Sequence, residues 1–149
     1  MAEPDGDSLD CDLGEATISE KLNMIRAYDP LNAPDPDDWL STDEGERMML
    51  VEEYHRRAGV KLPNEQAHAA IHAIVENQIA LGDETSARAT LERLMREGLD
   101  RHDAIHAVGS VLADFMQALV RGDAAPGATE RYNEELEKLT VAEWLETFR

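Results

Sequence analysis

The sequence predicts an all-α fold built on two consecutive helical hairpins. Apolar residues recur every three or four positions along most of the 149 residues, and no stretch alternates apolar and polar residues for long enough to predict a strand. A pattern that starts at His68 returns at His102, a spacing of 34 residues, which is about the length of one helical hairpin. We therefore expect residues 43–81 and 84–121 to form two antiparallel helix pairs, assembled as a four-helix-bundle-like core with short flanking helices.

The domain organisation follows from composition and length. Residues 1–14 are acidic, contain Gly and Pro and have few apolar side chains, which predicts a disordered tail. The remaining residues, 15–149, are expected to form one helical domain with its core at 43–121. Apolar residues at helical spacing predict a short amphipathic helix over residues 15–28, before the core begins.

Sequence signals for helix ends divide the core into four helices. Pro34 and Pro36 predict an extended or turned segment in front of the core, with Trp39 as an apolar anchor. The N-caps are predicted at Thr42, Asn64, Asp83 (or Thr85) and Asp100. Glycines that end these helices are predicted at Gly59, Gly82, Gly98 and Gly122. Two short C-terminal helices begin at Thr129 and Thr140.

The charge of the chain argues against two classes of partner. Acidic residues outnumber basic ones 32 to 14, which gives a formal net charge of −18. So acidic a surface repels nucleic acid and anionic lipid, because both bind through basic side chains. We expect neither nucleic acid nor a membrane as a partner, whereas a protein partner or a second copy of the chain stays open.

Cysteine usage and the lack of targeting signals indicate a cytoplasmic protein. The one cysteine, Cys11, can form no internal disulfide, which is simplest in a reducing compartment. The acidic N-terminus has no apolar run typical of a secretory signal, and no segment approaches the ~20 apolar residues of a membrane helix. A glycine-rich phosphate loop is absent, so no organic cofactor is predicted.

Four of the five histidines occupy equivalent positions on two predicted helices, His68 and His72 on the first and His102 and His106 on the second. At about 100° per residue, each pair lies within the apolar stripe of its helix. Glu76 lies beside the first stripe, and the small Gly109 on the second helix would let a neighbouring helix approach closely. If the two helices face each other, all four imidazoles converge.

This arrangement predicts a transition-metal site. Two histidines four residues apart on a helix can hold one ion. Four imidazoles would close a structural zinc site, whereas three with a water would leave an open, potentially catalytic one. Glu76, as a fifth or supporting ligand, would suit iron or manganese. A metalloprotease is excluded, because Ala69 and Asp103 stand where the His-Glu-x-x-His motif has its glutamate. If the ion is catalytic, Glu76 is the expected general base.

Other interpretations account for the same residues. In one, the histidines only fill space within the packed helices and the chain is a non-catalytic interaction module, which binds through its acidic tails or the segments around Trp39 and Trp144. In another, neutral packed histidines charge and repel near about pH 5–6, as a pH switch. His55, in the basic run from Tyr54 to Arg57, is interpreted as part of a helix C-terminus that the helix dipole favours. Whether the protein is an enzyme stays open.

The histidine motifs resemble those of a known family. The first motif is His68-x3-His72-x2-Val75-Glu76-x-Gln78. The second is Gly98-Leu99-x-Arg101-His102-Asp103-Ala104-Ile105-His106-Ala107-Val108-Gly109. Together they are similar to a family of small bacterial proteins classed as a domain of unknown function, over about residues 48–121. The resemblance implies a compact helical domain whose histidines belong to the family pattern, and it implies no activity.

Overall fold

The computed structural model describes residues 27–123 and 126–147, and these residues form helices with no strand. The helices are α1 (Pro36–Ser41), α2 (Glu44–Arg57), α3 (Glu65–Ala80), α4 (Ala87–Arg96), α5 (Arg101–Val120), α6 (Ala128–Lys138) and α7 (Val141–Glu146), with one 3-10 turn at Gly82–Glu84. The predicted all-α class is therefore confirmed. The acidic tail and nearly all of the predicted helix over residues 15–28 lie outside the described residues.

The two predicted hairpins form as α2–α3 and α4–α5, and α3 lies at the centre of the molecule. It packs against α2, α5, α1 and α4, whereas α5 packs against α3, α4 and α6. The two helices that carry the paired histidines, α3 and α5, are therefore in direct contact. The sequence alone did not show whether these two helices face each other, and the structure shows that they do.

Side-chain caps begin two of the four core helices at the residues that the sequence predicts. Asn64 and Asp100 cap α3 and α5 by accepting hydrogen bonds from backbone N–H groups of the first turn. Asp43, rather than Thr42, caps α2, because the Thr42 hydroxyl and N–H are bonded to the end of α1. Helix α4 begins after Ser86 rather than at the predicted Asp83 (or Thr85). The 3-10 turn at Gly82–Glu84 lies immediately before it.

The segment predicted to be extended or turned contains the short helix α1. Its first residue, Pro36, needs no N–H at that position, and the Asp35 carboxylate accepts a hydrogen bond from the backbone of the first turn. Trp39 is fully buried, and its Nε1 donates to Asn77 Oδ1 of α3 at 2.8 Å. Trp144 of α7 is 7% exposed. Both tryptophans therefore belong to the core, which does not favour the predicted docking segments around them.

Gly109 lets α3 and α5 approach closely beside the histidines. A Cβ atom at this position would lie 2.9 Å from Cγ2 of Ile71 and 3.9 Å from Cγ2 of Val75, both on α3. A side chain of any size would therefore force the two helices apart. The predicted role of this small residue in close helix packing is confirmed.

Replacing Gly109 by Val is expected to destabilise the protein by about 3 kcal/mol, because overpacking of a well-filled helix contact outweighs the gain in helix propensity. Urea unfolding measures this change. Gln117→Ala, at an exposed position of the same helix, is the control and should change the free energy of unfolding by less than about 0.5 kcal/mol. Equal stabilities of the two variants would show that α3 and α5 are not in contact at Gly109.

Among the described residues, α5 meets the length and hydropathy criterion for a helix that crosses a membrane. It has 20 residues and a mean hydropathy of 1.2 in its most apolar window, although the sequence was expected to contain no such segment. The core helix of a soluble protein meets the same criterion, so the finding is weak on its own. The contacts of α5 with α3, α4 and α6 are those of a core helix.

Candidate metal centre

Four histidines from three helices meet inside the protein: His55 on α2, His72 on α3, and His102 and His106 on α5. One ring nitrogen of each lies within 4.8 Å of one ring nitrogen of every other. His55 and His72 are buried, and His102 and His106 are half-buried. The fold therefore contains a four-histidine cluster that could hold a metal ion.

Two of these imidazoles are oriented by hydrogen bonds on their Nδ1 side. His55 Nδ1 lies 2.8 Å from the Val51 carbonyl oxygen and so donates to it. His72 Nδ1 lies 3.0 Å from the Tyr28 hydroxyl, which itself donates to Glu76 Oε1 at 2.6 Å. Because the Tyr28 proton is used toward Glu76, His72 Nδ1 is the donor in this pair. In both rings the lone pair is thus on Nε2.

The Nε2 atoms of His72, His102 and His106 are buried, and no described residue forms a hydrogen bond with them. A buried polar atom without a partner costs about 1–3 kcal/mol, which natural structures avoid unless the atom has another role. Imidazole Nε2 atoms that converge with free lone pairs are suited to a metal ion. The donor atoms of this cluster therefore fit a metal of the transition series.

His68 lies at the edge of the cluster. Its Nε2 is 3.2 Å from His55 Nε2, and it is half-buried. Without metal, His68 can donate a hydrogen bond to the lone pair of His55. Two nitrogen ligands on one tetrahedral zinc ion lie about 3.3 Å apart, given Zn–N bonds of about 2.0–2.1 Å, so the same spacing suits shared coordination.

Among the described residues, the hydrogen bonds of Glu76 reach the cluster only through Tyr28. Its two oxygens accept hydrogen bonds from the Arg101 guanidinium at 2.7 and 2.9 Å, and Oε1 also accepts the Tyr28 hydroxyl. Arg101 donates further to the Pro30 carbonyl at 2.9 Å. Glu76 is 1% exposed and Arg101 is 6% exposed. The sequence left two roles open for Glu76, and these contacts are those of a residue that orients a ligand, His72, rather than a ligand.

Aromatic rings enclose the cluster on the side of α2 and the N-terminal segment. Tyr54 meets His55 and His102 edge to face, with ring centroids 5.2 and 5.5 Å apart. Tyr28 meets His72 in the same way at 5.5 Å. These rings exclude water from one side of the histidines, which strengthens electrostatic interactions within the cluster.

Burial and repulsion between neighbouring imidazoles favour the neutral form of His68, His72, His102 and His106. Burial, together with repulsion by neighbouring histidines, lowers the pKa of His68 to about 4 and that of His106 to about 3. Burial and the other four histidines lower the pKa of His72 well below its usual range, and burial with His55 lowers that of His102. Neutral imidazole is the form that binds metal, so near neutral pH these side chains are ready to act as ligands.

These pKa shifts predict that the metal-free protein loses stability in acid. The unfolded histidines take up protons at about pH 6.5, whereas the folded His68 and His106 do so only at about pH 4 and about pH 3. Between these values the unfolded state binds more protons, so the free energy of unfolding decreases as the pH falls below about 6.5. Urea midpoints measured across this range test the effect, and His68→Leu/His106→Leu should flatten it. Equal pH dependence of stability in that variant and the wild type would contradict the attribution of the effect to His68 and His106.

Sequence reasoning found three of the four clustered histidines. His72, His102 and His106 come together as predicted, and His68 lies beside them. His55 was missed, because it was interpreted as part of a basic helix end. The signal that would have found it is its place on the buried side of α2, four residues after the fully buried Val51.

No protein-family model matches the chain, and neither the curated proteins nor the solved structures contain a match. The family resemblance of the histidine motifs therefore stays a prediction. The geometry of the cluster is the basis for a functional assignment.

Proposed function

We propose that this protein binds one transition-metal ion through Nε2 of His55, His72, His102 and His106. The observation that carries the proposal is the set of three buried Nε2 atoms without a hydrogen-bond partner among the described residues. His68 is an additional ligand at the edge, and Glu76 and Tyr28 orient His72. This assignment replaces the direct ligand role considered for Glu76.

The donor set favours zinc or iron as the ion. Neutral imidazole suits Zn and Fe, whereas manganese prefers carboxylate and water oxygens. The nearest buried carboxylate, Glu76, is already engaged by Arg101 and Tyr28. We therefore propose Zn²⁺ or Fe²⁺ rather than Mn²⁺, and no organic cofactor.

The hydrogen bond from His72 to Tyr28 provides a test of this function. Partners that orient a histidine ligand typically contribute about 10–100-fold to metal affinity. We expect Tyr28→Phe to weaken Zn²⁺ binding by about this factor in a competition titration with a chromophoric chelator, because it removes the acceptor for His72 Nδ1.

A second tyrosine is a matched control for this titration. Tyr132 donates to Gln78 at 2.6 Å, as Tyr28 does to Glu76, and is not part of the histidine cluster. Tyr132→Phe should bind Zn²⁺ as tightly as the wild type. Failure of the wild type to bind either Zn²⁺ or Fe²⁺ would overturn the proposed function.

We also propose that the chain is a cytoplasmic protein of the bacterial family that its motifs resemble. The net charge of −18 and the single cysteine support this setting. The same negative charge argues against nucleic acid and membranes as partners of this protein.

A further inference from the structure

A pocket of about 450 Å³ opens directly onto the histidine cluster between α3 and α5. His68, His72 and His106 are among its lining residues, together with the apolar Ile71, Ile105 and Trp144. The volume falls within the range of about 300–1,000 Å³ that is typical of small-molecule sites. The cluster is thus enclosed by tyrosines on one side and open to a cavity on another.

Two of the histidines that line the pocket carry atoms that are suited to a bound metal. His72 is 1% exposed, yet its Nε2 has no hydrogen-bond partner among the described residues, and the same holds for the buried Nε2 of His106. Both residues line the pocket. An ion held by these nitrogens would therefore lie beside the pocket, next to histidine side chains that line it.

The walls of the pocket indicate the chemistry of that ligand. Apart from the histidines, none of the described lining residues carries a charge, and the hydroxyls of Ser110 and Thr147 are the main polar groups. A cationic molecule would meet the like charge of the metal ion and find no carboxylate in the lining, which is costly in an apolar site. A neutral, mostly apolar molecule can bury its rings against the walls and bring one donor atom to the metal.

We propose that the metal centre is an open one that binds a largely apolar small molecule without positive charge through a single nitrogen or oxygen donor, with the pocket between α3 and α5 holding its apolar part. This inference rests on the proposed metal-binding function. The four histidine nitrogens of the proposed function would already fill a tetrahedral structural site, so the small molecule would occupy a position on the ion beyond those four.

Cobalt(II) provides the test, because its visible spectrum reports a change in coordination. The Co²⁺-loaded protein is titrated with imidazole and with 4-phenylimidazole, which share a donor nitrogen and differ in an apolar ring. We expect 4-phenylimidazole to bind at least about 10-fold more tightly, because the pocket buries its phenyl group. Elemental analysis after the titration should show that cobalt is retained.

Two variants locate the binding site of the phenyl group. Ala113→Phe fills the pocket and should abolish the advantage of 4-phenylimidazole while Co²⁺ still binds. Ala118→Phe, on the same helix but in a different cavity, is the matched control and should retain the advantage. Ser110→Phe narrows the pocket from an exposed position and replaces Ala113→Phe if that variant does not fold.

The outcomes separate this inference from the metal-binding function. Four results would overturn the open site while metal binding stands. Two concern the ligands: equal affinity for the two imidazoles, or no spectral change with either. The other two are loss of cobalt to the ligands and the same behaviour in Ala113→Phe and Ala118→Phe. Absence of Co²⁺ binding in a wild type that also fails to bind Zn²⁺ and Fe²⁺ would overturn the metal-binding function itself.

Discussion

Arg101→Ala is expected to destabilise the protein by about 3–5 kcal/mol, because it leaves the buried Glu76 carboxylate without its counter-charge. Glu76 is 1% exposed and receives two hydrogen bonds from the Arg101 guanidinium. Burial opposes the charge of Arg101, but its hydrogen bonds and ion pair with Glu76 raise its pKa overall. The free energy of unfolding in urea measures the loss.

The surface ion pair of Arg88 is the control for this prediction. Arg88 lies 3.2 Å from Asp83, but the two side chains are 44% and 89% exposed. Pairs of this kind contribute about 0–1 kcal/mol, so Arg88→Ala should change stability within that range. A loss in Arg101→Ala as small as that in Arg88→Ala would show that the Glu76 pair is not buried in solution.

His106→Leu is expected to abolish tight metal binding without a loss of stability in the metal-free protein. The substitution removes a buried Nε2 without a hydrogen-bond partner among the described residues and replaces the ring with an apolar group of similar size. Removal of a buried polar atom without a partner raises the free energy of unfolding by about 1–3 kcal/mol. The metal-free variant should therefore be as stable as the wild type or more stable. A ligand at about 100 times its dissociation constant stabilises the folded state by about 2.7 kcal/mol. The wild type should therefore gain stability with Zn²⁺ and the variant should not.

Thermal unfolding with and without Zn²⁺ measures both parts of this prediction. Met116→Leu, on the same helix at a position that is 36% exposed, should respond to Zn²⁺ as the wild type does. A strong loss of stability in metal-free His106→Leu would favour a purely structural role for the histidines. Zn²⁺ stabilisation that persists in the variant would remove His106 from the ligand set.

Periodicity was sufficient to predict helices α2 to α5 and the side of α3 and α5 that carries the histidines, but not the short helix α1. The apolar stripe places His72 and His106 on the faces that pack together, and Gly109 marks where the helices approach. The crossing itself depends on side-chain packing such as that of Ile71 against Gly109, which a single sequence shows only as a small residue at one position.

The residues around the cluster were harder to predict, because they come from distant parts of the chain. Arg101 is 25 positions from Glu76, and Tyr28 is 44 positions from His72. No local pattern marks such pairs, and Tyr28 was expected only to end a helix. His55 shows a different cause: neighbouring arginines suggested a solvated helix end, although the histidine itself faces the core.

Elemental analysis of the protein purified without a histidine tag or a chelator tests metal binding most directly. The wild type should contain close to one equivalent of zinc or iron per chain, and His72→Ala/His106→Ala should contain none while its circular dichroism remains helical. A wild type that holds no metal, even after incubation with Zn²⁺ or Fe²⁺, would contradict the account. The clustered histidines would then be residues of the core.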